Sequence, residues 1–125
     1  MSALNVLDQP LQLCSESPLT GFFRNGYCQT ESEDRGQHTV CAVVDNAFLQ
    51  YTLDQGNDLL TPRPALGFPG LKPGDHWCLC ATRWKEAHQE GRAPKVVLAA
   101  THKKALDVID LDTLLMYAVD IPKNA

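Results

Sequence analysis

Lys72-Pro73-Gly74-Asp75-His76-Trp77-Cys78-Leu79-Cys80-Ala81-Thr82-Arg83-Trp84 carries a turn, a strand and a helix start in one run. Proline presets φ and glycine takes the left-handed position, so residues 72–75 read as a tight turn. The turn launches a strand over 76–81. Alternate strand residues share a face, so Cys78 and Cys80 look one way with His76 beside them, while Trp77 and Leu79 look the other. Thr82 is placed to cap a helix over 83–90, on which Trp84, Ala87 and His88 share a face and Gly91 is the stop.

Working outward, 96–100 reads as a buried strand and 103–106 as a helical turn. Asp110 caps a last helix, where Leu111, Leu114, Leu115 and Ala118 follow the i, i+3, i+4, i+7 pattern and Pro122 closes it. Upstream, 38–44 is a β-branched strand. Asp45 or Asn46 caps a helix that runs to about residue 55, buries Phe48, Leu49, Thr52 and Leu53, and stops at Gly56. Residues 57–75 hold four prolines and three glycines without periodicity. Connections of that length are uncommon, and Leu66, Phe68 and Leu71 interleave with the prolines, so the segment reads as an ordered, packed loop. Phe22-Phe23-Arg24, Asn25-Gly26 and Tyr27-Cys28-Gln29 read as a type I′ hairpin. The acidic run 31–34 reads as a solvated loop. Strands and helices mix without a regular βαβ rhythm. The class expected is α+β, a two-layer α/β sandwich, as a single domain over 1–125 with its core at about 4–121.

With 125 residues, 44% hydrophobic and 21% charged, the chain affords a core without metal or disulfide staples. Net charge is −4 and the pI about 5.4, and the basic residues are scattered, so no nucleic-acid partner is expected. No run approaches the roughly 20 apolar residues of a membrane span. The opening Met1-Ser2-Ala3-Leu4-Asn5-Val6 has neither basic n-region nor apolar h-region, and a cytoplasmic location is expected. Five cysteines, an odd number without an export signal, point to free thiols.

Several blocks resemble one bacterial family, domain of unknown function number twenty-two thirty-seven. They are Leu19-Thr20-Gly21-Phe22, Gly36 with His38, Val40-Cys41-Ala42, Gly56-Asn57-Asp58-Leu59, Thr61-Pro62 with Pro64, Phe68-Pro69-Gly70-Leu71, Pro73-Gly74-Asp75, Trp77-Cys78-Leu79-Cys80, Arg83-Trp84 and Ala100-Thr101-His102. The resemblance covers nearly the whole chain. It implies a small stand-alone protein with a two-layer α/β sandwich and brings no activity with it.

Four places carry possible chemistry. Cys78 and Cys80 offer two thiols on one face, suited to redox chemistry or soft metals, or else to a buried structural pair. His38 and Cys41 extend that set with Cys28 to a zinc site on paper. His-x-x-Cys on a continuous strand, however, points to opposite faces, and no Cys-x-x-Cys is present. Arg83 and Lys85 at a helix start and Glu90 at its end oppose the helix dipole. Arg83 therefore suits an anion, or a structural partner such as Asp75. Asn57, Asp58, Thr61 and Arg63 belong to the long loop, as turn residues or as the wall of a pocket. His102 follows a strand end, where α/β proteins often place functional groups, or neighbours a Thr101 cap.

Three functions follow. The first is a small-molecule or anion pocket of Arg24, His38, Asn57, Asp58, Asp75, Arg83 and His102 beside buried thiols. The second is a non-catalytic interaction module docking through Leu66, Phe68 or Leu71. The third is a thiol redox or metal site at Cys78 and Cys80. No cofactor is required by any motif, and the partner is a small molecule or a protein.

Overall fold

β1 (His38–Val43) is the middle strand of a three-stranded sheet, antiparallel to β2 (His76–Cys80) on one side and to β3 (Lys95–Val96) on the other. The computed structural model describes residues 3–34 and 37–120. β-Branched and small residues suit a strand paired on both edges, and Val40, Cys41 and Ala42 are fully buried. Pairing sets Cys41 opposite Cys78, Ala42 opposite Trp77 and Val43 opposite His76.

One face of the sheet takes the helices. α1 (Asn46–Asp54) starts where Asp45 accepts the Phe48 N–H at 2.8 Å. α2 (Ala81–Gln89) follows β2 without a linker, and α3 (Leu111–Tyr117) lies beside β3. Val40, Ala42, Trp77 and Leu79 meet Phe48, Leu49, Trp84, Leu98 and Leu114 in one core. The Trp84 indole N–H donates to the Pro94 carbonyl at 3.1 Å, which satisfies its polar atom in that core. The arrangement is α+β.

The opposite face carries Cys41 and Cys78, clustered with Cys14, Cys28 and Ala100. No helix covers it. The covering comes from residues 11–34, which form neither helix nor ladder strand. They are held by Cys14–Cys41 and Cys28–Cys78 disulfides, with Cα separations of 5.7 and 5.2 Å. The expectation of free cysteines is therefore corrected, since only Cys80 is unpaired. The pairing was hidden because the partners lie 27 and 50 residues apart.

Other local expectations change as well. Thr82 lies inside α2, and Cys80 occupies the capping position without a side-chain cap. Residues 22–29 make no hairpin: Arg24 and Gly26 take positive φ, and their N–H groups bond Gly21 and Thr20 carbonyls. Beyond β3 the chain tightens into a 3-10 turn (Leu98–Ala100) rather than continuing as a strand. Leu53 is exposed. Asp110 precedes α3 without a side-chain bond, and Pro122 lies outside the described residues, as does Gly36.

The long loop 57–75 is ordered by its own bonds. Arg63 and Phe68 exchange two backbone hydrogen bonds around a 3-10 turn (Pro64–Leu66), and the Leu71 N–H reaches the Leu59 carbonyl. Phe68 and Leu71 are buried, Phe68 with its ring edge toward Trp77 at 5.2 Å, whereas Leu66 is 72% exposed.

Candidate active site

β1 and β2 fall out of step at one point. Val40 pairs with Leu79, so strict alternation sets Thr39 opposite Cys80. The strand instead holds one extra residue, and His38 takes that position. Such a bulge re-aims a side chain. Here it brings the His38 Nε2 to 3.3 Å from the Cys80 sulfur. The other ring nitrogen, Nδ1, lies 2.6 Å from an Asp34 carboxylate oxygen.

Asp34 is buried, with its side chain 1% exposed. Its second oxygen accepts the His38 backbone N–H at 2.9 Å and the Thr30 hydroxyl at 3.0 Å. A buried carboxylate held by several donors is fixed in place and in turn orients the imidazole it faces. The His38 imidazolium is pushed up to about 9; its contact with Cys80 is the largest cause, Asp34 adds to it, and partial burial opposes both. Phe22 lies across the ring, with centroids 6.4 Å apart. Cys80, His38 and Asp34 thus form a contiguous series of thiol, imidazole and carboxylate.

Cys80 also immediately precedes α2. The first turn of a helix leaves backbone N–H groups directed toward its N-terminus, where negative charge is favoured. Beside the thiol opens a cavity of about 350 Å³. Arg24, Asn57, Asp58, Arg63 and Arg83 supply its polar lining, and Phe68, Trp77 and Leu79 are among its apolar walls.

Of the seven pocket residues expected from sequence, Arg24, His38, Asn57, Asp58 and Arg83 line this cavity. Asp75 does not. It closes its own turn by accepting the Lys72 backbone N–H at 3.0 Å, and Arg83 faces Glu86 at 3.7 Å instead. His102 is elsewhere too: its Nδ1 accepts the Lys104 N–H at 3.0 Å and caps a 3-10 helix (Lys103–Asp107). Burial, and then the Lys104 charge, lower its pKa from the usual histidine value. Thr101 does not cap the start of that helix but closes the preceding 3-10 turn; its hydroxyl accepts the Cys41 N–H and donates to the Val97 carbonyl. Asp58 serves its loop as well as the cavity, accepting from the Leu60 and Thr61 N–H groups at 2.9 and 3.0 Å. Bonding to Thr61 is the main reason its carboxyl stays below the usual range.

The two thiols of Cys78-Leu79-Cys80 part company, Cys78 into a disulfide and Cys80 toward His38 rather than His76. Of the five residues in the zinc set, the disulfides occupy Cys28, Cys41 and Cys78. The Cys14, Cys28 and Cys78 sulfurs lie within 4.8 Å of one another because the two disulfides are neighbours. Asp34 escaped the sequence reading, since it sits in an acidic run that reads as solvated. The spacing Asp-x-x-x-His to His38 was the only local hint.

None of the helices among the described residues is long and apolar enough to cross a membrane. No curated protein matches the chain. A family model described as an uncharacterized protein conserved in bacteria, domain of unknown function 2237, matches residues 4–118. That span covers most of the chain and includes every residue of the cavity and of the Cys80–His38–Asp34 series, so the chain belongs to this bacterial family.

Proposed function

We propose that the chain is a cysteine-dependent enzyme in which Cys80 attacks an electrophilic carbonyl carbon of a small molecule bound in the adjacent cavity. The observation that carries this reading is the hydrogen-bonded series from Cys80 through His38 to Asp34. A thiol beside an imidazolium, at a helix N-terminus, is the setting in which cysteine is activated as a nucleophile.

The chemistry balances with the groups present. The Cys80 S–H proton passes to His38 to give the imidazolium, the sulfur forms a bond to the carbonyl carbon, and the carbonyl π pair moves onto oxygen beside the first-turn N–H groups of α2. Collapse expels the leaving group, which takes its proton from His38. Water, deprotonated by His38, then cleaves the thioester, releases the acid and restores the thiol.

The disulfides bear on compartment. They form and persist in oxidising surroundings, so the cytoplasmic location proposed from the sequence requires them to be reduced there. The interaction-module reading has one exposed leucine, Leu66, to rest on, with Phe68 and Leu71 buried. One leucine is not a patch.

The test is the rate at which iodoacetamide alkylates Cys80 at pH 7, together with turnover of p-nitrophenyl acetate. His38→Gln is expected to slow alkylation on the order of 10-fold, and Cys80→Ala to abolish turnover. A Cys80 that alkylates no faster than an unfolded thiol, with no dependence on His38, overturns the proposal.

A further inference from the structure

Arg24, Arg63 and Arg83 come from three unrelated elements, namely the disulfide-held segment, the long loop and the first turn of α2. All three line the cavity that holds Cys80. A single carboxylate, Asp58, is among the lining residues, and its Oδ1 is already engaged by two backbone N–H groups. The whole chain is acidic, with a net charge of −4, so this cavity runs against the sign of the molecule. Clefts lined by one sign of charge concentrate ligands of the other sign.

Among the described residues none of the three cations has a buried partner that neutralises it; Asp58, the carboxylate that feels the Arg63 charge, is not buried. Arg24 donates to the Gly21 carbonyl at 2.8 Å and lies 5.3 Å above the Trp77 ring, contacts that orient a guanidinium without cancelling its charge. It does so from a left-handed backbone, φ 53°, a conformation uncommon for a non-glycine residue. Arg83 has Glu86 at 3.7 Å, both side chains near half exposed, and solvent screens such a pair. Arg63 forms no ion pair within 4.0 Å among the described residues.

We infer that the substrate attacked by Cys80 carries a compact oxyanion, a carboxylate or a phosphate, held by Arg24, Arg63 and Arg83 while its electrophilic carbon faces the thiol. Guanidinium forks match both groups in a two-point fashion. Phe68, Trp77 and Leu79 offer an apolar wall to the stem between the two ends. This inference rests on the Cys80 nucleophile proposed above, and the experiment separates the two.

The probes are iodoacetate, a small electrophile bearing a carboxylate, and iodoacetamide, its neutral isostere. The quantity read is the ratio of their rates at Cys80, with each variant serving as its own control for folding and thiol reactivity. The expected result is a ratio at least about 10-fold above that of a free cysteine peptide, falling several-fold in Arg24→Gln and in Arg83→Gln and partly restored in Arg24→Lys. Raising the salt concentration should lower it too. In the second arm, succinate and inorganic phosphate compete against iodoacetamide, with neutral succinamide as the comparison. Protection by succinate alone assigns a carboxylate, and protection by phosphate alone assigns a phosphate. A free-cysteine ratio, unmoved by the arginine variants, overturns the inference while fast His38-dependent iodoacetamide labelling leaves the nucleophile standing. Slow labelling by both reagents, independent of His38, removes both.

Discussion

Asp34 holds His38 through both its backbone and its ring, so removing the carboxylate charge acts on the histidine before it acts on anything else. Asn in its place keeps an acceptor but no charge. Asp34→Asn is expected to lower Cys80 alkylation at pH 7 on the order of 10-fold, and a mass-spectrometric labelling time course checks it. A second consequence concerns pH. His38 titrates at about 9 in the fold, against an ordinary 6.5. Between those values the folded chain keeps a proton that the unfolded chain has lost. The stabilisation is complete below about pH 6.5 and disappears as pH rises through about 9. The melting-temperature gap between wild type and His38→Gln should therefore narrow from pH 6 to pH 9.5. A gap that stays constant over that range removes the charged histidine from the site.

Among the elements, those carried by local pattern were legible. Asp45 caps α1, Pro73-Gly74 turns the chain into β2, and the leucine spacing marks α3. What positions the site was not. Alternation along β1 has no marker for the extra residue that sets His38 opposite Cys80, because a bulge is defined by the partner strand. The long loop was readable as packed, yet its closure depends on a glycine whose role is visible only in three dimensions. At Gly70, φ is 79° and an added Cβ would lie 2.5 Å from the Leu60 carbonyl oxygen, whereas an added Cβ at Gly74, φ 94°, meets nothing within 4 Å. Gly74→Ala therefore costs only the left-handed strain, about 1–2 kcal/mol. Gly70→Ala adds a backbone collision and should cost at least about 2–3 kcal/mol. It should also lower the iodoacetate preference, because Leu60 to Gly70 includes Arg63 and the Phe68 wall. Urea unfolding of the two variants, compared midpoint to midpoint, checks the order. Equal losses would mean the loop yields freely around Gly70.

Across the whole molecule, the helix-free face of the sheet is closed by chain without regular structure, and this decides how fold and site depend on each other. Asn5 anchors the segment that leads into that chain. Its amide donates to the Ala99 carbonyl at 3.0 Å, and its oxygen accepts from Leu7 and Gln9. Further on, the Thr20 hydroxyl accepts the Cys78 N–H at 2.8 Å. The stretch 14–28 is an arch with a disulfide at each foot, Cys14 to Cys41 and Cys28 to Cys78, and Arg24 stands on it. Loop entropy assigns each crosslink about 3–4 kcal/mol for separations of 27 and 50 residues. The loops overlap, so the two contributions are not additive. Each pair replaced by alanines, Cys14→Ala with Cys41→Ala or Cys28→Ala with Cys78→Ala, should lose about 2–4 kcal/mol in urea unfolding. Freeing one foot of the arch should also reduce the iodoacetate-to-iodoacetamide ratio at Cys80, because Arg24 loses its fixed place above Trp77. The ratio should fall in both double variants under conditions where circular dichroism still reports a folded sheet. If stability drops while the ratio holds, the disulfides serve the fold alone, and Arg24 is placed by its bond to Gly21 and its contact with Trp77.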